Sequence, residues 1–242
     1  MAGGGRVLDG LAALGPFFAV DSHPPGEAPA PPWRPVSELA TQPGVLSQRI
    51  AATRATLAAR GGRPVGEIES RVAASAAHLG IVARLVAPAV GAAAVGGRVD
   101  MRLDGLWWQD VVGGPVPLSV PEPEPGGAVT GEWAERLLRD AVAPVTDATS
   151  QVERVSGQVL WGNVASGINA AASQVARARP DLADEAWACA RALFASPWLS
   201  REQHPPGPAF RRSSCCLFYR LVPDARSWRS AICGDCVLGG HS

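Results

Sequence analysis

Ile68, Val72, Ala76, Leu79, Ala83 and Val86 recur at steps of three and four residues, the spacing that lines one face of an α-helix. Pro88 is expected to end that helix, because proline has no N–H to donate and its ring crowds the preceding turn. Thr130 suits an N-cap and precedes Trp133, Leu137, Leu138 and Ala141 on a second helical face. Val152, Val155, Val159, Ile168 and Val175 mark a third helix, and Ala183 to Phe194 reads as a fourth. Over Arg98 to Leu103 polar and apolar positions alternate instead, the period of a strand; Leu106–Trp108 and Val116–Val120 are expected to join it in a small meander with Trp107 and Trp108 packed beneath. Ser214 to Val222 is rich in β-prone residues and is expected to pair with the segment after Arg226 as a hairpin. The pattern predicts an α+β fold: a mostly helical single domain with a small antiparallel β meander and a C-terminal cysteine-bearing hairpin.

Three proline-rich stretches punctuate this pattern: His23–Pro35, Pro121–Gly127 and Ser200–Pro208. The first reads as a surface loop, the second as a connection between halves of one fold or, alternatively, a domain linker, the third as the approach to the cysteines. The expected organisation is one domain over 1–242, with a helical body over about 1–205 and a cysteine-bearing segment over about 206–242.

Composition narrows the function classes. The 22 basic residues balance 22 acidic ones, so no electrostatic footprint for nucleic acid is present. Every basic residue is arginine, which excludes a Walker phosphate loop, a Schiff-base lysine and a pyridoxal-phosphate enzyme. No glycine-rich turn supports a dinucleotide site, and no serine sits in a nucleophile elbow. Met1–Val20 lacks the charged start and unbroken apolar core of a signal peptide. The most apolar run, Leu79–Val95, is interrupted by Arg84 and Pro88 and is expected not to span a bilayer. The expectation is a cytoplasmic protein, where clustered cysteines serve metal or redox chemistry more often than structural disulfides.

Four of the five cysteines fall within 22 residues: Cys215, Cys216, Cys233 and Cys236. Cys233-Gly234-Asp235-Cys236 has the form of a metal knuckle, a tight turn that lets two thiolates converge. Adjacent Cys215 and Cys216 reach one site only if the backbone twists between them, because neighbouring side chains on a strand face opposite ways. Spacing alone leaves three readings open: an iron–sulfur cluster, a structural zinc, or a disulfide or free thiols.

Cys215-Cys216-Leu217-Phe218-Tyr219-Arg220 followed by Cys233-Gly234-Asp235-Cys236-Val237-Leu238 resembles the C-terminal signature of the FhuF-like ferric-siderophore reductases. Trp161-Gly162-Asn163-Val164-Ala165-Ser166, Ala76-Ala77-His78-Leu79 and Arg84-Leu85 extend the similarity through the chain. The resemblance implies that Cys215, Cys216, Cys233 and Cys236 ligate a [2Fe–2S] cluster held by the 206–242 segment. It implies an oxidoreductase that passes one electron to siderophore-bound Fe(III) and releases Fe(II). The implied partners are the ferric siderophore, a protein electron donor of ferredoxin or flavodoxin type, and a membrane importer met peripherally. Sixteen residues separate Cys216 from Cys233, longer than the family's usual spacing; the excess, roughly Pro223–Ser230, reads as a longer hairpin tip. The alternatives are a non-catalytic zinc- or cluster-stabilised binding protein and an iron–sulfur redox sensor.

Around the cysteines, residues 210–242 carry five arginines (Arg211, Arg212, Arg220, Arg226, Arg229) against Asp224 and Asp235. This excess reads first as a solvated hairpin, and second as a means to raise the potential of an anionic cluster or to dock an acidic donor. Phe218 and Tyr219 are expected to pack against the helices. Cys189 is expected to be a buried thiol, His78 a packed or partly exposed histidine, His23 a solvated loop residue, and Asn163 a hydrogen-bonding residue between helices. His204 and His241 bracket the cysteine region, but four cysteines suffice as ligands without them.

Overall fold

The computed structural model describes residues 2–222 and 232–239. The chain opens with α1 (Ala2–Ala13), the short strands β1 (Asp21–His23) and β2 (Arg34–Pro35), and the helices α2 (Glu38–Thr41), α3 (Pro43–Arg60) and α4 (Ser70–Ala94). Strands β3 (Gly97–Arg98), β4 (Trp107–Trp108), β5 (Leu118–Pro121) and β6 (Glu124–Pro125) follow. The second helical group is α5 (Gly131–Leu137), α6 (Ala143–Glu153), α7 (Gly157–Ala178) and α8 (Ala183–Phe194). This is the mostly helical α+β fold expected from the pattern.

Helix α4 is the axis of the core. Eighteen of its 25 residues are buried, more than the single apolar face expected, because α1, α3, α6, α7 and α8 all pack against it. It runs straight past Pro88. A proline inside a helix costs about 3 kcal/mol, and burial on every side outweighs that loss. By length and composition α4 could cross a membrane, yet 72% of its most apolar window is buried against the rest of the fold.

Thr130 caps α5 as expected, its hydroxyl accepting from the Trp133 amide at 3.1 Å. A wide π turn, Leu138–Val142, carries α5 into α6, next to Pro144, which has no amide to continue the regular ladder. The third expected helix is in fact two. Arg154 takes a left-handed conformation (φ 49°) and ends α6, and Ser156 opens α7 by accepting from the Gln158 amide.

The sheet departs from a simple meander. Its strand order is β1-β5-β4-β2; β4 and β5 pair antiparallel, but β1 joins β5 in parallel, Asp21 opposite Ser119. Of the alternating run Arg98–Leu103 only Arg98 is in a strand, paired through β3 with β6. Alternation over six residues is too short to fix a partner. Trp108 is buried as expected. His23 is buried too, not solvated: its Nδ1 lies 2.8 Å from Ser119 Oγ across the β1–β5 pair, and burial pushes its pKa down.

The expected strand Ser214–Val222 is absent. The chain instead makes a left-handed turn at Leu217 (φ 70°) and a short 3-10 turn over Phe218–Leu221. Of the other arm, residues 232–239 form turns, the Cys236 amide donating to the Cys233 carbonyl and the Gly239 amide to the Cys236 carbonyl, both at 3.1 Å. The rest of that arm, its long tip, Arg226, Arg229 and His241 lie outside the described residues.

Candidate metal centre

The cysteine segment is laid across α4 and α7 by hydrogen bonds from side chains that each helix supplies at matching depth. Ser75 of α4 donates its hydroxyl to the Cys216 carbonyl at 3.0 Å. Asn163 of α7 donates its amide to the Ser75 carbonyl and hydroxyl at 3.0 and 3.1 Å. Its Oδ1 accepts from Arg212 Nη2 at 2.7 Å, and the same guanidinium reaches the Val159 carbonyl at 3.1 Å. Ser214 donates to the Gln158 carbonyl at 2.8 Å. Ser75, Asn163 and Arg212 are all buried, so the network is shielded from competition by water.

Gly162 makes this approach possible. A Cβ there would overlap the Ser214 hydroxyl and stand 3.0 Å from Arg212 Nη2. Phe210 anchors the start of the segment, buried edge-to-face against Phe194 at 5.5 Å. Arg220 closes the far end by pairing with Glu69 at 2.8 Å.

The second cysteine pair docks on this platform. The Arg212 amide donates to the Asp235 carbonyl at 2.9 Å, Arg211 reaches the Gly234 carbonyl at 3.2 Å, and Ser166 of α7 donates to the Asp235 carboxylate. Cys216 Sγ and Cys233 Sγ consequently lie 3.5 Å apart. Two thiolates on one tetrahedral metal at about 2.3 Å lie about 3.8 Å apart, so the pair stands close to ligand spacing. Cys215 precedes Cys216 in the chain, and Cys236 closes the turn that begins at Cys233, its amide donating to the Cys233 carbonyl at 3.1 Å. Among the described residues no three His, Cys, Asp or Glu side chains converge on one point; the close contact is the single pair.

Backbone amides are aimed at the sulfurs. The Leu217 amide donates to Cys215 Sγ and the Leu238 amide to Cys236 Sγ, both at 3.3 Å, and the Phe218 amide donates to Cys216. The positive φ at Leu217 turns the chain right after the adjacent cysteines, where the Leu217 amide meets Cys215 Sγ. Such donors favour thiolate over thiol. The hydrogen bond from Cys233 pushes the Cys216 pKa down, with the Phe218 amide and the Arg212 charge acting the same way against burial. That bond pushes Cys233 up, and burial raises Cys215. The donor set suits a thiolate-bound metal: sulfur-rich, amide-decorated, beside a buried cation, with Cys216 and Cys236 enclosed and Cys215 and Cys233 half-buried.

Residues set aside at the sequence level stay outside the centre. Cys189 is fully buried in α8, its pKa pushed up to about 12 chiefly by burial. His78 is fully buried, with Nε2 3.0 Å from Thr146 Oγ1. His204 is exposed, and Phe218 and Tyr219 are half-buried. Asn163 does bridge helices, as expected. Sequence reasoning missed Ser75, saw Ser166 only as the last residue of the Trp161–Ser166 stretch, and saw Arg212 only as one of five arginines. Its position before Ser213-Ser214-Cys215 was the available signal.

A cavity of about 780 Å³ lies elsewhere, lined by Arg98, Arg102, Trp133, Arg136, Asp100 and Asp140 and reaching Ala89 of α4. Ala89 is 14 residues from Ser75, about 21 Å along the helix. Comparison with known protein families and with curated proteins yields no match to this chain.

Proposed function

We propose that this chain is a [2Fe–2S] ferric-siderophore reductase of the FhuF-like type, with Cys215, Cys216, Cys233 and Cys236 as cluster ligands. The observation that carries the reading is the approach of Cys216 to Cys233 at 3.5 Å, joining the two cysteine pairs across the chain. The resemblance of both cysteine motifs to that family supplies the substrate.

A bound cluster of this kind supplies one electron at a time, which matches the reduction of Fe(III) to Fe(II). Hard oxygen ligands hold Fe(II) far more weakly than Fe(III), so a single electron releases the metal without a bond to the protein being made or broken. The donor of that electron is an acidic ferredoxin- or flavodoxin-type protein, which restores the centre after each turnover. The residues of the chain hold thiolates with amide donors, enclose Cys216 and Cys236, and leave Cys215 and Cys233 half-buried as the point of closest approach. Exposed Val237 and Leu238 beside them offer an apolar rim to the organic part of a siderophore. The large cavity is too distant for this role, since outer-sphere transfer falls steeply with separation. No general acid or base is required. The cytoplasm, where siderophore iron is released, is the proposed compartment.

The test is a visible spectrum of anaerobically purified protein with iron and acid-labile sulfide assays, then mixing of the dithionite-reduced protein with a ferric hydroxamate. A cluster chromophore that is rapidly reoxidised is the expected result. A colourless protein carrying one zinc would sink the proposal, and a stable reduced chromophore would turn it into a redox sensor. The same Cys216–Cys233 contact favours a second reading, a reversible disulfide, which mass spectrometry after mild oxidation separates from the first by the loss of two hydrogens at that pair.

A further inference from the structure

Among the described residues three arginines are buried: Arg49, Arg84 and Arg212. Arg49 pairs with Asp110 at 2.7 Å. Arg84 donates to the carbonyls of Phe17, Ala19 and Val116. Arg212 is different. It is 1% exposed, its Nη2 meets only the neutral acceptors Asn163 Oδ1 and Val159 O, and its Nε has no hydrogen-bond partner. It takes part in none of the ion pairs among the described residues. Asp235 accepts from the Arg212 main-chain amide, but its carboxylate engages Ser166.

An enclosed cation without an anion costs several kcal/mol, and arginine in proteins is a permanent cation. The fold nevertheless builds a slot for it, since a Cβ on Gly162 would stand 3.0 Å from Nη2 and 3.4 Å from Nε. Besides the Asp235 carboxylate, which Ser166 engages, the groups at this junction able to carry negative charge are the thiols: Asn163 and Ser75 link the guanidinium to the Cys216 main chain, and the Arg212 charge acts on both Cys215 and Cys216.

We propose that Arg212 is the buried counter-cation of the thiolate centre, a positioning residue whose charge is balanced only when Cys215, Cys216 and their partners are ionised around a metal. The inference rests on the metal-centre reading and adds to it the residue that sets the centre's charge balance. Four thiolates around two ferric ions and two sulfides leave a dianion, and reduction adds one more negative charge. A fixed positive charge at this site therefore raises the potential and tightens the binding of any metal that the thiolates hold.

The test compares wild type with Arg212→Lys and Arg212→Met, each reconstituted anaerobically with iron and sulfide, by redox titration followed in the visible spectrum. The methionine variant should be harder to reduce by tenfold or more, 59 mV for one electron, and lysine should restore most of that shift. Thermal unfolding of the metal-free proteins adds a readout that a purely structural role would move the other way: Arg212→Met should be no less stable than wild type without metal, yet should gain less on loading. Should the methionine variant fail to fold, Arg212→Gln, which keeps a donor for Asn163, takes its place under the same criteria. Equal potentials in wild type and the neutral variant, with a normal chromophore, overturn the counter-cation and leave the reductase reading intact. If wild type forms no iron–sulfur chromophore but binds Co(II) with thiolate charge-transfer bands, the reductase reading fails alone. Arg212 is then judged on Co(II) affinity, expected to fall at least tenfold in the neutral variant; an unchanged affinity overturns it. A wild type that binds neither overturns both.

Discussion

The Ser75 hydroxyl donates to the Cys216 carbonyl at 3.0 Å, tying the buried helix α4 to the thiol segment 141 residues later in the chain. The same hydroxyl accepts from Asn163, so one small side chain joins α4, α7 and the cysteines. An interior carbonyl that loses its donor costs about 1–3 kcal/mol, and here the carbonyl belongs to a proposed ligand residue.

Ser75→Ala should therefore lower the stability by about 1–3 kcal/mol, read as a shift in the denaturant midpoint. It should also speed transfer of metal from the loaded protein to a chelator severalfold. A stability loss with unchanged metal release would confine Ser75 to a role in packing the helices.

Gly162→Ala tests the closeness of the same junction from the other helix. The added methyl group would overlap the Ser214 hydroxyl and crowd Arg212, where overpacking costs about 1–3 kcal/mol. Alanine is the better helix former by about 1 kcal/mol, so on propensity alone the substitution would stabilise α7. Net destabilisation in thermal unfolding is the expected outcome, and a rise in Tm would mean that the cysteine segment does not sit on Gly162.

Much of the fold was legible because the helices are long and periodic. Ala183–Phe194 and the Thr130 cap were readable residue by residue, since their signals are local. What failed depended on partners distant in sequence. Pro88 did not stop α4 because the stop signal acts on an isolated helix, and this one is packed on every side. His23 looked solvated among prolines because nothing nearby announces Ser119, 96 residues away. The cysteines were visible as a set, but their platform was not: Ser75, Ser166 and Arg212 are ordinary residues until two helices bring them together.

His78 carries a pH dependence that can be worked out in sign. Burial first, and the nearby Arg212 charge second, push its pKa down to about 3 from 6.5. Its ring nitrogens face Thr146 Oγ1 and the Asn163 amide, neither of which is charged. The unfolded chain therefore binds this proton between pH 6.5 and 3 while the folded protein does not. The stabilising contribution is complete above pH 6.5 and is lost as pH falls, by about 1.4 kcal/mol per pH unit across that window. His78→Gln should flatten the acid limb of a plot of denaturant midpoint against pH, whatever its effect at neutral pH. A limb of unchanged slope would place the acid sensitivity elsewhere.

The last prediction separates the ligand thiols from the buried one. Cys236 sits in the Gly234-Asp235 turn, accepts the Leu238 amide at 3.3 Å, and belongs to the segment held by Arg212 and Ser166. Cys189 is enclosed in α8, with burial holding it as a neutral thiol, the form that neither binds metal nor reacts readily. Serine is nearly isosteric with cysteine but a poor ligand for soft metals. Cys236→Ser should therefore abolish the visible chromophore and the sulfide content of the reconstituted protein while leaving its far-ultraviolet circular dichroism intact. Cys189→Ser should keep the chromophore in full and lose stability instead, because a hydroxyl then replaces a thiol at a fully buried site. The opposite pattern, colour lost with Cys189 and kept without Cys236, would remove the C-terminal cysteines from any metal centre and with them the electron-transfer reading.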